Sequence, residues 1–251
     1  MKMSDDSHIS ATPTGTSQFA TTHWSVVLAA GDSSSPQHEQ ALSKLCQAYW
    51  FPLYAYLRRR GHDRHQAEDC TQAFFTQMLD KRRLSGISPK LGKFRSFLLT
   101  ALKNFVSDEL DRARTVKRGG AQKTLSMNFE TAESQYTLEP TDELSPERLF
   151  ERAWALAVLE QTMNRLEAEL ANTNKKELFD SLRVYVCGEP TTVTYCNVAA
   201  QLNMTENAVK VAVHRLRRRY RELLRNEIAQ TVLTEDQVDE EISYLFAAVA
   251  L

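Results

Sequence analysis

The chain has 251 residues, of which 42% are apolar and 25% are charged, and its formal net charge at pH 7 is −1. These values are ordinary for a folded soluble protein of one large or two small domains. The apolar runs fall short of the ~20 residues that a membrane span needs, and the N-terminus lacks the positive start and apolar core of a secretory signal. We therefore expect a cytoplasmic protein that makes no membrane contact.

The N-terminal half is predicted to begin with a disordered leader and to continue with helices. Residues 1–18 are polar and contain Ser, Thr, Pro and Gly, which is typical of a disordered segment. Helical periodicity then covers 21–30, 37–50, 53–60, a stretch that starts at Arg64 or His65, and 94–114. Breaks are predicted at the loop 31–36, at Pro52, at Gly61 and at the loop 85–93.

The C-terminal half resumes helical patterns after a segment without periodicity. Residues 120–146 carry Ser, Thr, Glu and two prolines, which predicts an extended linker. Helices are predicted at 146–169, 175–186, 195–202, from 206 onward, and at 234–249. Since no alternating strand pattern of convincing length occurs, we predict an all-α fold of two helical domains joined by a flexible linker. The predicted units are a leader at 1–18, a first domain at 19–119, a linker at 120–146, a second domain at 147–230 and an acidic helix at 231–251.

The near-zero net charge conceals a strong segregation of charge along the chain. Basic residues outnumber acidic ones between Arg58 and Arg118 and again between Lys210 and Arg225. Acidic residues dominate 130–177 and 235–241. Two basic blocks that flank an acidic middle indicate two modules that face nucleic acid on one chain.

Residues 194–225 favour a helix-turn-helix that reads DNA. Asn203, Met204 and Thr205 are predicted to form the turn, with Thr205 as the N-cap of the second helix. That helix has one apolar stripe, formed by Val209, Ala212, Val213, Leu216, Tyr220 and Leu223. Its opposite face is polar and basic, with Asn207, Lys210, His214, Arg217, Arg218 and Arg221. The alternatives are an ordinary solvated face and a helix that binds a membrane or a calmodulin-like partner, although the stripe lacks a Trp or Phe anchor.

Residues 93–118 interleave phenylalanines with basic side chains. The rings belong to Phe94, Phe97 and Phe105. Such a surface could follow phosphates through its cations and stack bases on its rings. For Phe97 and Phe105 a place in the core is an equal alternative.

The sequence carries no motif of an enzyme, a metal site or a nucleotide site. Neither glycine-rich phosphate motif is present, and no nucleophile elbow or catalytic triad signature occurs. His62, Asp63 and His65 come closest to a metal cluster, but a solvated helix cap headed by Asp63 explains them better. The four cysteines form no C-x-x-C pair, which predicts structural free thiols. We therefore expect a protein without cofactor or metal that is not an enzyme.

Both modules together resemble the extracytoplasmic-function (ECF) sigma factors of the sigma-70 family. The stretch AEDCTQAFF at 67–75 is similar to the family pattern Ala-Glu-Asp-Leu-x-Gln-x-x-Phe. KFRSFLLTALKNFVSDELDRAR at 93–114 is similar to Phe-Arg-x-Trp-Leu-x-x-x-Ala-x-Asn-x-x-x-Asp-x-x-Arg, with Phe97 in place of Trp. Residues 195–225 resemble the region 4 helix-turn-helix. The N-terminal extension with His23 and Trp24 and the acidic helix after Thr234 lie outside the family pattern.

The resemblance implies three sets of functional residues on a monomer that binds core RNA polymerase and promoter DNA. Docking on the clamp coiled coil of the largest polymerase subunit is implied for Glu68, Asp69, Gln72 and Phe75. Recognition and melting of the −10 element is implied for Lys93, Phe94, Arg95, Phe97, Asn104, Asp108, Arg112 and Arg114. Reading of the −35 element is implied for Thr205, Glu206, Asn207, Lys210, Val211, His214, Arg215, Arg217 and Arg218.

Two other functions stay open at this stage. A two-domain DNA-binding regulator that is not a polymerase subunit would explain 194–225 but would leave 67–75 and 93–114 as plain core helices. An RNA-binding or catalytic all-α protein lacks any positive motif. An anti-sigma factor is a further candidate partner, and we hypothesise that the acidic C-terminal helix replaces it as an intramolecular clamp on the basic face.

Overall fold

The computed structural model describes residues 24–32, 34–78, 84, 87, 88, 90, 92–115, 129–138, 144–187 and 193–250. These residues form ten helices and no strand, which confirms the all-α prediction. In chain order the helices are α1 (Trp24–Gly31), α2 (His38–Arg59), α3 (Arg64–Met78), α4 (Phe94–Thr115), α5 (Phe129–Leu138), α6 (Pro146–Ala171), α7 (Lys176–Cys187), α8 (Tyr195–Gln201), α9 (Glu206–Ala229) and α10 (Asp236–Val249). The predicted leader at 1–18 lies outside the described residues.

Helix α2 continues through Pro52, so the break predicted there is wrong. Burial explains the continuity, because Tyr49, Leu53 and Leu57 keep one apolar face at 2% exposure or less on both sides of the proline. Packing of this kind outweighs the missing backbone hydrogen bond. The helix ends as predicted at Gly61, whose φ of +93° lies in the left-handed region. The amides of Gly61 and His62 donate to the carbonyls of Arg58 and Leu57, which closes the last turn in a Schellman motif.

Local capping starts α3 where the sequence predicted it. The Gln66 amide donates to Asp63 Oδ1 at 2.8 Å, and the Asp63 amide donates to Gln66 Oε1 at 3.1 Å. This reciprocal pair is a capping box, so Asp63 is a helix cap. Within the described part of the chain, no group of three or more His, Cys, Asp or Glu side chains could hold a metal ion.

Helix α5 lies inside the segment that was predicted to be an extended linker, so that prediction is wrong over 129–138. Glu133 joins this helix to α2, since Arg58 Nη2 donates to Glu133 Oε1 at 2.8 Å and the Tyr54 hydroxyl donates to Oε2. The Arg58 guanidinium also lies 5.1 Å from the centre of the Tyr136 ring. Burial tends to raise the pKa of Glu133, but the hydrogen bonds from Tyr54 and Arg58 outweigh it and hold the pKa below its usual value. The helix therefore depends on a tertiary charge pair that helical periodicity does not reveal.

Two hydrophobic cores share helices α6 and α9. The N-terminal core contains α1–α4 together with Phe150 and Trp154 of α6, Ile228 of α9 and Leu245 of α10. The C-terminal core takes Met163 and Leu166 from the later part of α6, and residues of α7, α8 and the first part of α9. Two ion pairs hold α6 to α9: Arg165 with Glu227, and Arg219 with Glu169 at 2.8 Å. Continuous helices thus connect the two cores, while the domain bounds given above remain a prediction.

None of the helices described here is long and apolar enough to cross a bilayer.

We predict that the three described free thiols differ sharply in reactivity. Burial raises the pKa of both Cys46 and Cys70 to about 12, whereas Cys196 on α8 is exposed. Because the thiolate is the reactive species, Cys196 should be alkylated by iodoacetamide at pH 8 well before Cys46 and Cys70. Peptide mapping by mass spectrometry against time measures each site separately. In urea all three sites should react at similar rates, and equal rates in the native protein would contradict the packing of α2 and α3.

Candidate nucleic-acid interface

Helices α8 and α9 form the predicted helix-turn-helix. Thr205 caps α9, as the sequence predicts, and Thr194 caps α8. Asn203 adopts a φ of +55° after the end of α8, and the amide of Met204 donates to the Ala199 carbonyl at 2.9 Å. Asparagine tolerates this left-handed conformation better than other side chains with a Cβ. The Thr205 hydroxyl then accepts a hydrogen bond from the Ala208 amide at 3.2 Å. The turn and the Thr205 cap are therefore confirmed.

The two faces of α9 separate as the sequence predicts. Val209, Val213, Leu216 and Leu223 are at most 5% exposed and pack against α6, α7 and α8. All nine predicted DNA-reading residues are exposed: Thr205, Glu206, Asn207, Lys210, Val211, His214, Arg215, Arg217 and Arg218. Val211 is 43% exposed, which is high for an apolar side chain. The face thus presents several cations, one amide and one aliphatic side chain to solvent.

Several of these cations already have protein partners of their own. Lys210 Nζ lies 2.7 Å from Glu206 Oε1, and Arg218 Nε lies 3.1 Å from Glu222 Oε1. Exposed pairs one turn apart contribute only a few tenths of a kcal/mol, so a phosphate can replace the carboxylate easily. Arg217 differs, because its Nε donates to the backbone carbonyl of Tyr185 at 2.8 Å and so ties α9 to α7.

The beginning of α4 is buried, in contrast to α9. Phe94 is 4% exposed and packs against the rings of Trp24, Tyr49 and Phe97, with centroid distances of 6.2, 5.6 and 5.9 Å. Phe105 is also 4% exposed, so of its two alternatives the structure supports the core. Phe97 is half-buried at the edge of the same core. In this conformation the phenylalanines stabilise the fold and do not face a strand of DNA.

Arg95 lies in a buried charge cluster that the sequence analysis did not find. Its guanidinium donates to Glu151 Oε2 of α6 at 2.8 Å and to Glu241 Oε1 of α10, and its Cζ lies 4.0 Å from the centre of the Trp154 ring. Lys93 pairs with the second oxygen of Glu241. Arg95 is 4% exposed and Glu241 is 1% exposed. This conformation therefore withdraws Arg95 from the surface expected to meet DNA, while Lys93 stays at the surface with a side chain that is 45% exposed and paired with Glu241.

Glu241 stays ionised in its buried position. Burial raises the pKa of this carboxyl, but hydrogen bonds and charge from Arg95 and Lys93 outweigh burial and hold the pKa below its usual value. The sequence did carry a signal for this site. Glu241 falls in register with Val238, Leu245 and Ala248, which form the buried face of α10. A carboxylate on such a face requires a cation from another element.

The remaining residues of the −10 set are either exposed or have side chains that lie outside the described part of the structure. Asn104 and Asp108 lie on the exposed side of α4. Lys103, beside them, pairs with Glu147 of α6 at 2.8 Å. The side chains of Arg112 and Arg114 lie outside the described residues. An exposed polar strip therefore continues along α4 beyond its buried start.

The set implied for polymerase docking is only partly on the surface. Asp69 is exposed, and Glu68 and Gln72 are half-buried. Glu68 accepts a hydrogen bond from Arg64 at 2.8 Å. Phe75 is 2% exposed and contacts Phe74, with ring centroids 5.7 Å apart. This corrects the expected role of Phe75, because a ring buried in the core supports α3 and does not itself touch a partner.

Comparison with known proteins identifies one part of the chain. Residues 46–116 match the family model described as sigma-70 region 2, which covers less than a third of the chain. The match spans most of α2, all of α3 and all of α4, and it supports a member of the sigma-70 family. No curated protein and no solved structure matches the chain.

We predict that Thr205→Ala destabilises the helix-turn-helix. The substitution leaves the Ala208 amide without its cap, which typically costs about 1 kcal/mol. Thr205→Ser retains a hydroxyl at the same position and should lose much less. Urea unfolding followed by circular dichroism measures the free energy of unfolding of all three proteins, and equal values for the Ala variant and the parent would contradict the cap.

Proposed function

We propose that the chain is an alternative sigma factor of the ECF type, which binds core RNA polymerase and directs it to specific promoters. The observation that carries this proposal is the order of two modules on one chain. A match to sigma-70 region 2 at 46–116 is followed by a helix-turn-helix whose second helix exposes a basic face. A sigma factor needs both, because one module opens the promoter and the other positions the polymerase.

In this proposal α9 reads the −35 element in the major groove. Asn207 and Lys210 lie in its first two turns, the part of a recognition helix that usually reaches base edges. Val211 supplies an exposed aliphatic group that suits the methyl group of thymine. Arg215 and Arg218 lie further along the helix and suit phosphates on either side of the groove. Thr205, Glu206, His214 and Arg217 complete the set.

Region 2 recognises the −10 element and stabilises the open strand in the same proposal. Asn104 and Asp108 are exposed on α4 and can accept or donate hydrogen bonds to an unstacked base. Lys93, Phe97, Arg112 and Arg114 belong to the same proposed set, with the buried Phe94 and Arg95 beneath it. Strand capture shifts the duplex toward the open form, since only the open form presents the base.

Docking on core polymerase is proposed for the exposed side of α3, through Glu68, Asp69 and Gln72, with Phe75 as internal support. The partner surface is the clamp coiled coil of the largest subunit. Polymerase then tethers both DNA-reading modules, so that each contributes at high effective concentration even where it binds weakly alone. The function proposed is that of a cytoplasmic monomer without catalysis or cofactor, with an anti-sigma factor as a further candidate partner.

A regulator that binds DNA without polymerase is the second candidate function. It is favoured by the exposed basic face of α9, which such a regulator would use without a polymerase partner. The two functions differ in one simple observation, which is whether the tagged protein copurifies with core RNA polymerase and supports promoter-dependent transcription with it. A protein that binds DNA but neither copurifies nor transcribes would favour the regulator.

Arg218→Ala tests the phosphate contacts of α9. We expect weaker promoter binding and a salt dependence whose slope falls by about one, because one fewer counterion is released. Glu222 keeps Arg219 as a partner at 3.2 Å, so the substitution does not leave the Glu222 carboxylate unpaired. Fluorescence anisotropy across a salt series measures both quantities. Arg148→Ala, an exposed arginine at the start of α6, is the control, and an unchanged slope for Arg218→Ala would argue against the phosphate role.

Asp69→Ala tests the polymerase surface on α3. We expect a loss of affinity for core polymerase of about tenfold, the effect of removing one hydrogen-bonded charge at an interface. Binding of labelled protein to core enzyme gives the Kd, and circular dichroism checks the fold. Asp180→Ala removes an equally exposed carboxylate on α7 and should change nothing. Equal affinities for the two variants would remove Asp69 from the interface.

A further inference from the structure

We propose that α10 is a built-in autoinhibitory latch, which buries Arg95 and neutralises Lys93 through Glu241 until α10 leaves the N-terminal core. The inference rests on the proposed function, because it concerns the regulation of the promoter-opening surface. It also sharpens the earlier hypothesis of a clamp on a basic face. Helix α10 buries Arg95 at the start of α4 and pairs with the exposed Lys93 just before it, while the face of α9 proposed to read DNA stays exposed.

The contacts of Glu241 resemble those that a phosphate would make. One oxygen accepts from Arg95, and the other pairs with Lys93. The Tyr244 ring, one turn further along α10, lies over both cations, 4.9 Å from Lys93 Nζ and 5.1 Å from Arg95 Cζ. A DNA phosphate carries the same charge and accepts the same hydrogen bonds. DNA and α10 therefore compete for one pair of cations.

Apolar packing also holds α10. Val238, Leu245 and Ala248 are buried in the N-terminal core, and Asp239 pairs with Arg225 of α9. The connection before α10 is held by α1, since the Trp24 indole donates to the Thr231 carbonyl at 3.2 Å and the Trp24 amide to the Gln230 carbonyl at 3.1 Å. Both segments outside the sigma pattern, the one with Trp24 and the acidic helix, thus meet over the start of α4.

Attaching a helix through a buried ion cluster contributes little net stability. Desolvation of the charges offsets most of their attraction, so apolar side chains would hold α10 equally well or better. Apolar contacts, such as those of Val238 and Leu245, cannot be exchanged for a phosphate. The ion cluster can be exchanged, so it makes this part of the attachment sensitive to nucleic acid, which is the property that a latch requires.

Glu241→Gln in the full chain tests the latch. The probe is a fluorescent pool of random single-stranded DNA 20-mers, and anisotropy gives the Kd. We expect about tenfold tighter binding by Glu241→Gln, since release frees Lys93 from its carboxylate and exposes Arg95, which keeps Glu151 as its remaining partner. Asp236→Asn removes the same charge from the exposed first turn of α10 and should bind as the parent does. Equal affinities for both variants, with unchanged circular dichroism, would overturn the latch.

A second experiment tests the latch without a substitution in the core. A protease site placed in the exposed stretch at 233–235 is cut in the folded protein, and size-exclusion chromatography removes the released peptide. Tighter DNA binding after cleavage, reversed by adding a synthetic 236–251 peptide, supports the latch. Unchanged binding, or a peptide that stays bound when DNA is added, overturns it.

The same proteins separate failure of the latch from failure of the proposed function. Each is mixed with core RNA polymerase, and complex formation and transcription from a library of promoter fragments are measured. If no form binds core polymerase, the proposed function fails. If all forms bind it and transcribe equally, the proposed function stands and the latch is wrong.

Discussion

The buried guanidinium of Arg95 is the constraint on which the arrangement of the helices depends. Arginine does not lose its proton at any accessible pH, so a side chain that is 4% exposed must be neutralised by partners. The partners come from two distant parts of the sequence, Glu151 on α6 and Glu241 on α10. Trp154 adds an aromatic face to the guanidinium. One cation thereby fixes the start of α4, the first part of α6 and the whole of α10 relative to one another.

Continuity of α6 and α9 extends this constraint to the helix-turn-helix. Both helices enter both cores, and the Arg219–Glu169 pair joins them along their length, with N–O distances of 2.8 and 2.9 Å. The orientation of α9 is consequently coupled to α6, and α6 is coupled through Glu151 to the start of α4. On the proposed function, two DNA-reading surfaces connected only by a loose chain would adjust independently to the spacing of a promoter. Here the helices carry the coupling, so a change at Arg95 can reach α9.

Features that depend on neighbouring residues were predicted correctly from the sequence, and features that depend on tertiary charge pairs were not. Asp63 and Thr205 cap their helices through residues three positions away, and the turn at Asn203 needs only its own backbone preference. The helix break predicted at Pro52 does not occur, because the packing of Tyr49 and Leu53 compensates for the backbone hydrogen bond that proline cannot make. Helix α5 was missed because Arg58 stabilises it from α2. Likewise, Arg95 was predicted to be an exposed cation because its partner Glu241 lies far along the sequence.

Burial is unequal across the two basic blocks, and this inequality determines what the closed form can do. The cations of α9 pair mainly with carboxylates on the same exposed helix, which water and phosphate reach freely. Arg95 at the start of α4 is 4% exposed, so DNA can reach it only when a helix moves, and the exposed Lys93 is neutralised by Glu241, which is 1% exposed. On the proposed function, the closed form can therefore engage duplex DNA through α9 while its strand-capturing surface remains incomplete. Asn104 and Asp108 stay exposed, but without Lys93 and Arg95 they lack the cations that would hold the backbone of an open strand. Release of α10 would add these cations only after the protein is already positioned, so that promoter search and promoter opening become separate steps.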